Sequence, residues 1–128
     1  GARRGHAEAG PPEWSRPIGG TDGVPADELQ VYGADASDRI TAWKLADGDI
    51  AWTSDKLLYR GLGAPLAMNR HVVFGDAEGM VHFFSRDTGE PALRLTTDGT
   101  PVAAAPAMSG NTMLVVTRGG GLFAFRLE

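Results

Sequence analysis

The sequence contains no cysteine, which excludes disulfides, thiolate metal sites and a lipid-bearing cysteine within these residues. It lacks any apolar run of the roughly 18 residues that a membrane-spanning helix requires. Nor does any window repeat apolar residues at i, i+3, i+4 and i+7 long enough for a surface helix. Positive charge is also scarce: 12 Lys and Arg stand against 16 Asp and Glu, for a net charge of −4 and a pI near 5.3. With no basic stripe and with its aromatics at core positions, the chain is not expected to bind nucleic acid. The opening GARRGHAEAGPP carries Arg3 and Arg4, but no apolar core follows them, so it does not read as an export signal.

What the chain does have is glycine, 18 residues of it, and a repeat. Asp35, Ala36, Ile40, Gly48, Ala64 and Pro65 return 41 residues later as Asp76, Ala77, Val81, Gly89, Ala105 and Pro106. The register continues without a gap: Val72, Val73, Val81 and Phe84 become Met113, Leu114, Leu122 and Phe125. A period of about 40 to 45 residues holding several short strands is the signature of β-propeller blades.

Within one period, VVFGD, MVHFFS and EPALRLTT are β-rich runs separated by the short polar turns AEG and RDTG, a hairpin pattern. The spacing predicts strands at Val31 to Asp35, Ile40 to Leu45, Ile50 to Ser54, Pro65 to Met68, Val72 to Gly75, Met80 to Ser85 and Ala92 to Thr96. The segments APLAM and APAMS supply the innermost strand, giving four per blade. Side chains alternate along a strand. Ile40, Val81 and Leu122 therefore share one face with Ala42, Phe83 and Ala124, while Trp43, Phe84 and Phe125 point the other way. Both faces are apolar and must be covered by neighbouring blades.

The expected fold is all-β: about three four-stranded blades at residues 24–54, 64–96 and 104–128. Propellers close with roughly four to eight blades, so the chain reads as a fragment of a larger, about eight-bladed ring, and the isolated segment is expected to self-associate. Residues 1–23 read as a poorly ordered tail with one outer strand near 12–17, because Gly10 to Trp14 echoes Gly48 to Trp52. That strand would complete the C-terminal blade.

The stretch AWKLADGDIAW, Ala42 to Trp52, resembles the tryptophan-docking repeat of quinoprotein-type, PQQ-like propellers. There the Trp packs against a Gly of the adjacent blade, a structural role the resemblance assigns to Gly48, Trp52, Gly89, Trp14 and Trp43. Residues 31 to 128, through DRITAWKLADGDIAWTSDKLLYRGLGAPL and VVFGDAEGMVHFFSRDTGEP to the closing GGGLFAFRLE, are similar to the C-terminal blades of the BamB family of outer-membrane assembly lipoproteins. Residues 1 to 30 fit that pattern poorly. The resemblance implies a non-catalytic scaffold on the periplasmic face of a Gram-negative outer membrane, docking through interblade loops onto the insertase BamA, with no cofactor. Its alternatives are a truncated PQQ-dependent dehydrogenase domain or a PQQ-like repeat protein of other role. Decay of the docking positions, Trp52 to Leu93 and Ala42 to Phe83, and the lack of an adjacent cysteine pair favour the scaffold, since fold alone does not fix function.

Other chemical groups have plainer readings. Asp35, Asp38, Asp76 and Glu78 cluster in turns and suggest calcium, but the third copy reads TRGGG there, so turn chemistry is preferred and no metal is expected. His6, His71 and His82 are scattered without a nucleophile, and His82 reads as a packed or rim side chain. Gly119 to Gly121 lacks a following helix or Lys and reads as a turn. The stretch SDKLLYRGLGAP stands out. Its Leu57, Leu58, Tyr59, Arg60 and Leu62 replace small and polar residues of the next copy. Such a connector either contacts a partner or plugs the space between two blades.

Overall fold

The structure is a computed structural model that describes residues 30–127. Ten strands are described, with no helix among them: β1 Gln30–Ala34, β2 Ile40–Lys44, β3 Ile50–Ser54, β4 Leu66–Ala67, β5 His71–Gly75, β6 Val81–Ser85, β7 Pro91–Leu95, β8 Ala107–Ser109, β9 Thr112–Val116 and β10 Leu122–Arg126. They form three antiparallel sheets in the orders β1-β2-β3, β4-β5-β6-β7 and β8-β9-β10. The middle sheet is a complete four-stranded blade, and the flanking sheets contribute three described strands each. The expected tail, the strand near 12–17 and Trp14 lie outside the described residues.

The repeat is legible in the register. Tyr32 faces Ala42 across β1 and β2 as Val73 faces Phe83 across β5 and β6. Between the third and outer strands the register slips at Ala42/Trp43 in the first sheet and at Phe83/Phe84 in the second, the same place in each period. Ala51 and Ala92 are the extra residues. A bulge there bends the outer strand and re-aims the side chains that follow.

Alternation along the strands places two cores between three sheets. The first joins Ile40, Ala42, Trp52, Leu57 and Leu62 to Val72, Phe74 and Phe84 of the middle blade. The second joins Val73, Val81 and Phe83 from the middle blade's other face to Met113 and Val115, with Phe125 against them. The middle blade is thus apolar and covered on both sides. Removing such a ring, as in Phe84→Ala, costs about 3–5 kcal/mol in a packed site. The outer face of the third sheet is different: Leu122 is 68% exposed and Val116 48%.

Trp52 locks the first two blades together. Its ring lies against Gly89, where any Cβ would collide with the indole, and its Nε1 donates to the carbonyl of Arg86 at 2.6 Å. Gly89 has φ +75°, a conformation disfavoured for residues with a Cβ. Both requirements fall on one glycine, as the docking motif implies.

Candidate partner-binding rim

The turns after the second strand of each blade are built by one acceptor. Asp35 Oδ1 accepts the N–H groups of Ser37 and Arg39 at 2.8 and 3.0 Å, and Asp76 Oδ1 accepts those of Glu78 and Met80 at 2.8 and 2.9 Å. In the third copy Thr117 Oγ1 takes the place, accepting from Gly121 N–H at 3.1 Å and donating to Asp98 Oδ2 at 2.7 Å. Of the carboxylates read as turn formers, Asp35 and Asp76 are engaged as such. Among the described residues no three His, Asp or Glu side chains are grouped to hold a metal ion. Gly119 to Gly121 closes a tight turn, with Gly120 N–H donating to the Thr117 carbonyl at 3.1 Å.

These turns clamp the connector between β3 and β4. Asp38 accepts the N–H groups of Gly61 and Leu62 at 3.0 and 3.2 Å, the Tyr59 N–H donates to Ser37 O at 3.0 Å, and the Ala77 N–H donates to Arg60 O at 3.0 Å. The last bond recurs one period on, from Arg118 N–H to Pro101 O at 2.8 Å. So held, the connector divides its side chains. Leu57 and Leu62 are 6% and 8% exposed and complete the first core. Leu58 and Arg60 are half-buried, and Tyr59 is 79% exposed. The packing alternative therefore holds for two leucines, which plug the blade gap, while Tyr59 faces solvent.

Tyr59 also has φ +61°. For a bulky residue that is a genuine outlier, costing on the order of 1–3 kcal/mol, and such strain clusters at functional sites. Asp38 is left-handed too, at φ +68°, but Asp tolerates this conformation.

Next to Tyr59 in the chain, Arg60 joins a polar cluster that no single residue signalled. Asp76 is 1% exposed. Its Oδ2 meets His82 Nε2 at 2.8 Å and accepts from Arg60 Nε at 3.2 Å. Burial works to raise the Asp76 pKa, but the His82 bond and the N–H groups of Met80 and Glu78 outweigh it and hold the carboxyl below its usual range. Burial pulls the His82 pKa down; Asp76 opposes this, while Arg60 and Arg94 add to it, and the net is a lowered value. The pair is therefore a neutral imidazole donating to a carboxylate. The Arg60 guanidinium also reaches Met80 Sδ at 3.4 Å. The sequence signal was available: Arg60, Asp76 and His82 depart from the repeat together, as Pro101, Thr117 and Phe123 in the next copy. His71 does not join them and packs edge-on to Phe83 at 5.9 Å.

A family model for "Outer membrane protein assembly factor BamB" matches residues 2–54. The assembly factor BamB of Burkholderia pseudomallei (strain K96243) is 42% identical over 120 residues, which is 94% of this chain and 32% of that protein. Over nearly its whole length the chain is similar to BamB. The crystal structure of BamB from Moraxella catarrhalis superposes with a TM-score of 0.72 at 22% identity, covering 81% of this chain and 30% of that one. A quinohemoprotein alcohol dehydrogenase from Pseudomonas putida HK5 superposes with a TM-score of 0.69 at 16% identity, over 82% of this chain and 18% of that enzyme. These structural likenesses show the fold, consecutive blades of a PQQ-like β-propeller. The chain spans about a third of the length of the curated BamB relatives it matches. The BamB pattern reaches residue 2, which corrects the expectation that residues 1 to 30 fit it poorly. Sequence reading missed this because only the Gly10 to Trp14 echo stood out there, at a spacing shorter than the period.

Proposed function

We propose that the chain forms part of a non-catalytic scaffold for outer-membrane β-barrel protein assembly, working at the periplasmic face of the outer membrane and contacting its protein partner through the β3–β4 connector. The observation that carries the contact is Tyr59: an exposed aromatic kept in a strained backbone conformation on a loop clamped by Asp38, Ser37 and Ala77. A rigid, presented Tyr costs little entropy on binding, and Tyr and Arg are the residues most enriched at interface hot spots. The names of the relatives support the assembly role. By family resemblance the partner is the insertase BamA.

The test is a photo-crosslinking amino acid at position 59, with Leu58 and Thr53 as near and remote comparisons. Crosslinks to the insertase from 59 and 58 but not 53 support the reading, and their absence from 59 refutes it. A quinoprotein dehydrogenase is the second reading, favoured only by the shared fold. Calorimetry with the quinone and calcium separates the two: stoichiometric binding abolished by Asp76→Ala would establish the enzyme reading in place of the scaffold.

A further inference from the structure

Between the connector and the outer half of the middle blade lies a cleft of about 370 Å³. Its floor is apolar, formed by Leu57, Phe84 and Ala92, and its walls carry Lys56, Arg60 and Arg94. Lys56 and Arg94 are exposed, and neither forms an ion pair among the described residues. Asp76 cannot neutralise them, because its buried oxygens are already taken by Arg60, His82 and two backbone N–H groups. In a chain of net charge −4, this is a local positive site with an apolar base.

The cleft runs along β7, the last strand of its sheet among the described residues. From Pro91 to Arg94 that strand is exposed. An unpaired sheet edge offers backbone N–H and C=O groups to a further strand. Side chains of an added strand alternate between the two faces of the sheet. Arg94 pairs with His82 on the cleft face, whereas Leu93 pairs with Phe83, whose side chain enters the core on the opposite face. Leu93 itself is half exposed.

We propose that this cleft captures an extended acidic segment of a protein partner, added to the β7 edge, with its carboxylates directed to Lys56, Arg60 and Arg94 and its alternate apolar side chains over Leu93. Arginine and carboxylate form the stronger, charge-assisted class of hydrogen bond, and the edge supplies affinity independent of sequence. The site shares the connector residues Lys56, Leu57 and Arg60 but does not include Tyr59, and it stands whether or not Tyr59 contacts the insertase.

Fluorescence anisotropy of the full chain with a labelled, capped peptide alternating Glu and Val tests this, with a Lys and Val peptide as control. The Glu peptide should bind, more weakly as salt rises. Arg94→Gln and Lys56→Gln, both at exposed positions, should each weaken it by about tenfold while the emission of the buried Trp52 stays unchanged. Slower hydrogen exchange at Ala92 to Leu95 should accompany binding. Equal binding of the Lys peptide, indifference to both substitutions, or complete displacement by inorganic phosphate would overturn the proposal.

Discussion

At the residue scale, Asp76 is the pivot, since one carboxylate organises its own turn, fixes the imidazole of His82 and orients Arg60. Asp76→Asn keeps the shape but replaces an acceptor oxygen by a donor facing other donors. It should cost about 3 kcal/mol in urea unfolding, most of it from the buried bonds, because Arg60 is on the rim and rim ion pairs contribute little. Both lowered pKa values act in the same direction with pH. His82 binds a proton more readily unfolded than folded, so stability should fall as pH drops below the ordinary histidine value of 6.5. Asp76 adds a second loss as pH falls below 3.8 through its depressed folded value. His82→Gln, which retains an N–H donor, should abolish the first loss and leave the second, as read by the denaturation midpoint against pH. Tyr59→Gly should relieve the left-handed strain and raise stability by about 1 kcal/mol, while weakening partner capture in the crosslinking assay.

At the element scale, the docking of β3 onto the β6–β7 turn decides whether two blades behave as one body. Trp52→Ala should destabilise by about 3–5 kcal/mol and broaden the unfolding transition, since the blades then lose their mutual lock. Gly89→Ala should be as damaging despite its size. It places a Cβ into the Trp52 indole in a conformation that alanine resists. The strand pattern was legible in the sequence at nearly every element because hairpin turns and two-residue alternation are local. The docking glycine was legible too, through the motif. The contacts of Asp76 with Arg60 and His82 were signalled only by the joint change of all three residues in the next copy, and their geometry was not legible, because they join residues 16 and 6 positions apart through a turn and a connector whose path depends on Asp38.

At the scale of the whole molecule, the exposed outer face of the third sheet should dominate solution behaviour. Leu122, Val116 and Ala124 lie open on it, and patches of more than about 300–600 Å² drive association. The isolated chain should therefore self-associate in sedimentation experiments. Leu122→Lys should shift it toward monomer without changing the circular dichroism of the sheets; a stable monomer indifferent to this change would refute the account.

The sequence by itself determined the all-β class, the period, the strand sites and the two-sided apolar blade, since each depends on neighbours along the chain and on repetition. It also displayed the connector's unusual composition. Only the tertiary structure decided how that connector divides, with Leu57 and Leu62 drawn into the gap between blades and Tyr59 turned outward. Only it brought Lys56, Arg60 and Arg94 around one cleft. The physical reason is common to both: a side chain's partner across an interblade gap is set by how two sheets stack, and that angle and spacing are properties of the packed blades together.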